Sequence, residues 1–383
     1  MTRYVLRRLV QIVITFFLFQ TLTFFLLYAQ PGDIANQYLL NPNIPPDTAE
    51  KLRQSLGLDK PPYLQYLQYM KNFLTGNLGI SFSNYPRPVI DIIKERLPRT
   101  LVLFFTATVV SFYVGFALGK LLAWKRGGAF EYVTTIVGVT LYTVFTPWFA
   151  LMMIWLFAYK FDWFPTGKFI TPSFWRNAPI SANEVFHRMI ISGTVAGIAA
   201  LIAFFLLRRM PPPWRRFSGW ISLLVGAVVA VAPWLNSPLG PYAKDIIWHM
   251  ILPIATLTLI SFAGTMLLTR NSLLETMRED YILAARAKGL PEKVVRDRHA
   301  ARTALLPVVT SFVFSLAFAI DGGVITETIF SWPGMGLTLL NAVVQEDIPL
   351  AMGAFSFTGI LALTAHLVAD ILYAYLDPRI RYS

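Results

Sequence analysis

The sequence predicts an all-α integral membrane protein, on three observations. Apolar residues make up 55% of its 383 residues and charged residues only 14%, with a mean hydropathy of +0.54; a soluble chain of that make-up would expose more apolar surface than water tolerates. The apolar residues gather into runs of the length that a hydrocarbon core of about 30 Å requires. The basic residues gather on one side of those runs.

Eight candidate spans follow in order: Leu9–Ala29, Leu101–Trp124, Tyr132–Tyr159, Met189–Leu207, Phe217–Leu235, Ile246–Leu268, Ala304–Ile325 and Leu350–Tyr373. Arg3, Arg7 and Arg8 precede the first. Its apolar core is too long for a secretory signal and no small-residue cleavage site follows, so it reads as an uncleaved helix. Pro233 makes Phe217–Leu235 the weakest of the eight. Between the first two spans, residues 30–100 form an external region with many turn formers and short amphipathic helices at Leu64–Leu74 and Pro86–Arg96. Residues 101–383 form the membrane core. Gly115-x-x-x-Gly119 and Gly193-x-x-x-Gly197 permit close helix contacts, and Pro147 and Pro253 should kink the helices that contain them.

Orientation follows from charge. Region 1–29 is a cytoplasmic tip and the first span; with that tip inside, the cytoplasmic pieces are the first residues, 125–131, 208–216, 270–303 and the tail after Leu376. They hold 19 Lys/Arg against seven Asp/Glu, whereas the external pieces hold 13 against 12. That is the positive-inside bias. It puts both termini in the cytoplasm and accounts for the net charge of +12 without nucleic acid.

Several chemistries are excluded. With no cysteine there is no disulfide framework and no thiolate metal site. No G-x-x-x-x-G-K-[ST] loop is present to cradle nucleotide phosphates. Intramembrane-enzyme motifs (His-Glu-x-x-His, Gly-x-Gly-Asp, Gly-x-Ser-x-Gly) are missing too. The informative stretch is cytoplasmic segment 270–303. Tyr281, Ala284, Ala285, Lys288 and Gly289 recur at the spacing of one helical face. Gly289 suits a helix C′ position and Pro291 the first turn of a second helix. This predicts a helix–turn–helix with a small-residue elbow that carries Arg286, Lys288, Arg296 and Arg298.

Here the residues carry a resemblance. AA-x-x-x-G followed by Leu306-Pro307 resembles the coupling motif of ABC importer permeases. DYILAARAKGL…RHAARTALLPVV is similar to the dipeptide/oligopeptide (peptide/nickel) class, in the subunit whose chain starts RYVLRRL. The same class is matched by Leu56-Gly57-Leu58-Asp59-Lys60-Pro61, Gly76-Asn77-Leu78-Gly79-x-Ser81-Phe82 and Arg96-Leu97-Pro98-x-Thr100-Leu101. Glu327-Thr328-x-Phe330-x-x-Pro333-Gly334-Met335-Gly336 and Asp377-Pro378-Arg379-Ile380-Arg381 complete the series. Two departures stand out: Leu283 occupies the place of a glutamate in older forms of the motif, and 189–235 is an inserted hairpin. The resemblance implies a type I permease bundle of six core spans plus that hairpin, in a bacterial or archaeal cell membrane. It implies a non-enzymatic subunit of an ATP-driven peptide importer, with no cofactor of its own and ATP and Mg held by partners. Those partners are a homologous second permease, two ATPase subunits and an extracytoplasmic solute-binding protein. By the same resemblance ATPase coupling falls to Tyr281, Ala284, Ala285, Arg286, Lys288, Gly289 and Leu290, and Arg286, Lys288, Arg296 and Arg298 would steer or anchor the partner ATPase. The competing class is an ion-coupled transporter or channel, which should carry several ionisable residues within spans and an inverted repeat.

Other residues admit two readings each. Asp321 lies deep in the seventh span and could line the pathway, or mark a span end or a bond between helices. Pro147 and Pro253 could border the pathway or only pack. Trp332, Pro333, Gly334 and Gly336 could form an external gate or binding-protein contact, or simply a tight turn that needs glycine. His366 and Asp370, spaced i, i+4, suit a structural pair; two ligands do not make a metal site.

Overall fold

The computed structural model describes residues 2–29, 60–211, 214–319 and 323–376. The helices are α1 Thr2–Tyr28, α2 Pro62–Leu74, α3 Val89–Trp124, α4 Ala129–Thr143, α5 Thr146–Met153, α6 Ala182–Arg208, α7 Trp214–Leu235, α8 Gly240–Thr276, α9 Asp280–Ala287, α10 Ala301–Phe318, α11 Val324–Ile329, α12 Met335–Val344 and α13 Ile348–Leu376. A π-helical stretch, Ile154–Lys160, extends α5. Among the described residues the only extended pairing is a single bridge between Ile80 and Pro88. Seven helices are long and apolar enough to cross a membrane, or eight if α4 and its continuation count as one.

The third expected span departs from a straight helix. It bends by 108° between Thr143 and Thr146, where Val144 turns extended. Pro147 therefore does not kink a continuous helix. It sits in the first turn of α5, where its missing N–H costs nothing. Pro253, by contrast, lies within an uninterrupted α8. The expected helix at Pro86–Arg96 and the second span are one helix, α3, which runs through Pro98. Its upstream part is held by Glu95, which pairs with Arg87 at 2.7 Å and Arg99 at 3.0 Å. The seventh span ends at Phe318. Asp321, and the motif stretches 56–59 and 377–381, lie outside the described residues.

The chain forms two compact units, residues 1–153 with 253–383, and residues 154–252. In the first, α1, α3, α10 and α12 gather around α13, with Leu27, Val89, Ile93, Met335 and Ala351 at the centre of a buried cluster. Several polar groups pair inside it, although Gln20 Oε1 is left without a donor among the described residues. Gln20 Nε2 donates to Ser356 Oγ at 2.5 Å and Tyr69 Oη lies 2.8 Å from the same hydroxyl; burial pushes the Tyr69 phenol up to about 12. Arg8 meets Asp370 at 3.3 Å, which sets the start of α1 beside the end of α13. Gly115 and Gly119 do mark a close crossing: a Cβ at either would lie 2.4 Å from a carbonyl oxygen of α8.

In the second unit α6 and α7 form the expected hairpin, but Gly193 and Gly197 face open space. The tight contact falls instead at Gly226, against Ala196 and Ala200. Asp245 organises the connecting loop by accepting from Thr171 N–H at 2.9 Å, Thr171 Oγ1 at 2.8 Å and Trp175 Nε1 at 2.7 Å.

Asp347 is the corresponding anchor in the first unit. It is fully buried, accepts from Ser81 Oγ (2.5 Å), Ser83 Oγ (2.6 Å) and Ser83 N–H (3.0 Å), and caps α13 through Leu350 N–H. Asp347→Ala removes a cap and strands buried donors, so a loss of about 2–4 kcal/mol is expected. It should appear as a lower thermal-unfolding temperature of the purified protein.

Candidate functional site

The segment that resembles a coupling motif is built around one helix stop. α8 ends at Thr276, the chain turns through Met277–Glu279, and α9 runs to Ala287. α9 closes in a Schellman motif: Leu290 N–H donates to Ala285 O at 3.4 Å and Gly289 N–H to Arg286 O at 2.9 Å. Gly289 holds φ +76°, the left-handed conformation that this C′ position demands. Pro291 precedes the next turn and accepts from Val294 N–H at 2.8 Å. Helical turns Glu292–Val294 and Val295–Ala300 then run unbroken into α10. The second arm of the elbow is thus the beginning of a membrane helix rather than a separate one.

The inner face of α9 is Ile282 and Ala285, packed with Val295, Ala300, Met277 and Leu290. Tyr281, Leu283, Ala284, Arg286, Lys288 and Gly289 are exposed. Ala285 therefore does not share an outward face with Tyr281 and Ala284. It is the C3 residue whose contact with Leu290 completes the Schellman motif. What remains outside is a small-residue patch flanked by Tyr281 and Leu283, beside the charge of Lys288.

Charged contacts tie this elbow to its neighbours. Arg286 grips Glu292 through Nη2 at 2.8 Å and Nε at 3.1 Å. Arg296 bonds Asp297 at 3.0 Å and lies 3.6 Å over the Trp124 ring, which Lys120 also covers at 4.3 Å. Glu131 accepts from Arg270 Nε at 2.8 Å and from Gly127 N–H at 2.6 Å. Arg296, expected to steer a partner, is thus engaged on Trp124 together with Lys120. Sequence reasoning missed Trp124 and Glu131. The available signals were an indole closing a span one turn after a lysine, and a lone acid in a basic turn.

The turn before α12 is a structural element. Trp332 is fully buried, its Nε1 donating to Arg99 O at 3.3 Å. Pro333 O accepts from Arg96 and Arg99. Glu327 accepts from Thr100 Oγ1 at 2.6 Å and Leu337 N–H at 3.0 Å. Burial raises its carboxyl above the usual range, against the opposing pull of these donors and of Gly336 N–H. A Cβ on Gly334 would sit 2.3 Å from Glu327 and one on Gly336 2.8 Å from Val324 Cα. Trp332 and Gly334 are enclosed and present no surface to an external partner. His366 and Asp370 do not pair: Asp370 takes Arg8, and His366 Nδ1 lies 2.8 Å from Ala362 O. No metal-holding cluster occurs among the described residues.

Known proteins can now be set beside this geometry. Residues 115–382 match the family described as "Binding-protein-dependent transport system inner membrane component", and residues 1–104 match "Binding-prot-dependent transport system membrane comp, N-term". The chain belongs to this permease family. It is similar over its full length, and theirs, to the oligopeptide transport system permease protein AppB of Bacillus subtilis at 28% identity and the dipeptide transport system permease protein DppB of Escherichia coli at 31%. It is also 32% identical, again over both full lengths, to the di/tripeptide transport system permease protein DppB of Pseudomonas aeruginosa. The family and the long apolar helices make this permease a multi-pass protein of the cell membrane, as the sequence motifs implied.

The burial pattern separates two neighbouring alanines of the permease. Ala285→Glu places a charge in the packed inner face, at a cost of at least about 3 kcal/mol, and is expected to lower the unfolding temperature and yield. Ala284→Glu, on the exposed side, is expected to leave both unchanged. Thermal unfolding followed by tryptophan fluorescence reads the difference.

Proposed function

We propose that this permease is a membrane subunit of an ATP-driven peptide importer, forming half of the translocation pathway with a homologous second permease. Two ATPase subunits dock on the outer face of α9, hold the ATP and Mg, and supply the work. An extracytoplasmic solute-binding protein delivers the cargo. The peptide cargo is supported by relatives named for oligopeptide, dipeptide and di/tripeptide transport.

The elbow is the observation that carries this reading. Its glycine stop and apolar inner face make α9 and the start of α10 one body, while its outer face offers small residues to which another protein's backbone can come close. A chain with no phosphate-binding loop of its own must receive energy by contact. Force on α9 passes through its packed inner face into the arm that starts at Glu292 and runs unbroken into α10, and sideways into α3 through the Arg296–Trp124 stack.

Purified from membranes without overexpressed partners, the chain is expected to carry an ATPase subunit with it. Solute movement by the lone reconstituted chain down an ion gradient would overturn the proposal. In the assembled complex, Ala284→Glu is expected to cut peptide uptake by about tenfold or more while ATP hydrolysis by the complex persists. Unchanged uptake would move the docking face elsewhere. Trp124→Ala should lower uptake several-fold without loss of assembly, with Trp124→Phe restoring much of it, because a smaller aromatic face still receives Arg296.

A further inference from the structure

In the first unit, α3, α8 and α10 border a cavity of about 290 Å³ whose wall carries the hydroxyls of Thr108, Ser111, Ser261, Thr265 and Ser315. That volume is near the lower edge of small-ligand pockets, roughly 300–1,000 Å³, as a site completed by a second subunit would be. The hydroxyls recur at i, i+3 on α3 and i, i+4 on α8, so each helix turns one polar stripe toward the space. The Phe112 and Phe312 rings also line it, stacked on each other with centroids 4.0 Å apart. One turn further along α3, Gly115 and Gly119 bring its backbone against α8. The two helices touch there, with Thr265 against Gly115, and stand apart toward Ser261 and Thr108.

These positions are well inside apolar helices. Elsewhere on α3 the exposed side chains at this depth are Val110, Tyr113 and Val114, a lipid-compatible face. Ser261 and Ser315 are exposed as well, but polar groups at membrane depth face protein or water rather than acyl chains. Ser315 bonds its own helix through Ser311 O at 2.9 Å. Thr108, Ser111, Ser261 and Thr265 make no side-chain hydrogen bond to another described residue, which leaves their hydroxyls available to a guest.

We propose that this cavity is the permease's wall of the solute pathway, and that it takes cargo by hydroxyl contacts to uncharged polar groups without selecting on charge. This rests on the transport reading above and adds the chemistry of the passage. A hydroxyl both donates and accepts, so one wall serves the N–H and the C=O of an amide alike. The lining contains no ionisable side chain, so cationic and anionic cargo meet the same surface.

The chain has no native cysteine, which permits a direct test in the assembled complex. Ser111→Cys, Ser261→Cys and Ser315→Cys are treated separately with small cationic and anionic methanethiosulfonates, with Leu103→Cys, a fully buried position, as control. The expected result is modification of the three by both reagents at comparable rates and none at Leu103→Cys. Ser261→Asp combined with Ser111→Cys should then shift the cation-to-anion rate ratio by about tenfold or more, since a like-lined cleft concentrates the opposite charge. Failure of all three cysteines to react, or an unmodified chain that already prefers one sign as strongly, overturns the proposal. A dipeptide added during labelling should protect the cysteines. Labelling by both reagents without such protection would uphold the cavity as the passage and overturn the peptide reading.

Discussion

Apolar helices gain little by exchanging lipid for one another, so a bundle like this one depends on its polar and small-residue contacts. In the first unit these differ between the two ends. Where α1, α2 and α3 meet α11 and the first half of α13, the joints are buried: Gln20 and Tyr69 on Ser356, Ser81 and Ser83 on Asp347, Thr100 on Glu327. Each would leave a stranded polar group if opened, at about 1–3 kcal/mol. At the opposite end Arg270 of α8 holds the buried Glu131 of α4, but the other joints are partly exposed charges: Arg8 with Asp370, Arg286 with Glu292, Arg296 over Trp124. Pairs of that kind contribute about 0–1 kcal/mol. One end is therefore fixed and the other exchangeable at low cost, and the exchangeable end carries the elbow.

Much of this was legible in the sequence. Hydropathy found the spans because a bilayer leaves the backbone little choice but helix. Gly289 announced the stop of α9 because only a residue tolerant of φ +76° closes a helix that way. Periodicity alone, though, could not tell which side of so short a helix faces in. Ala285 and Ala284 are equally small, and the difference comes from Val295 and Ala300, supplied by the next arm.

The misses share that cause. Trp332 admits an external contact or a tight turn until Arg99, 233 residues away, supplies an acceptor for its indole and decides for the turn. Asp370 reads as the partner of His366 at i, i+4, yet Arg8 reaches it from the other end of the chain. Gly115 and Gly193 open identical motifs, and only the first finds a helix to touch. Local spacing states what a residue can contact, and tertiary structure chooses.

α3 brings the exchangeable end and the cavity together. Trp124, its last residue, is clasped by Arg296 of the elbow; Gly119 and Gly115 rest on α8 one and two turns back; Ser111 and Thr108 follow in the cavity wall. The glycine contact has no side chain to interlock, so it can act as a pivot. A displacement of the elbow that pulls on Trp124 would then move the hydroxyl stripe the opposite way, changing the gap to Ser261. The lever is short, and both of its ends are polar contacts made in the middle or at the edge of an apolar helix. Coupling and passage would be two ends of one rigid element, which requires no chain of side-chain rearrangements between them.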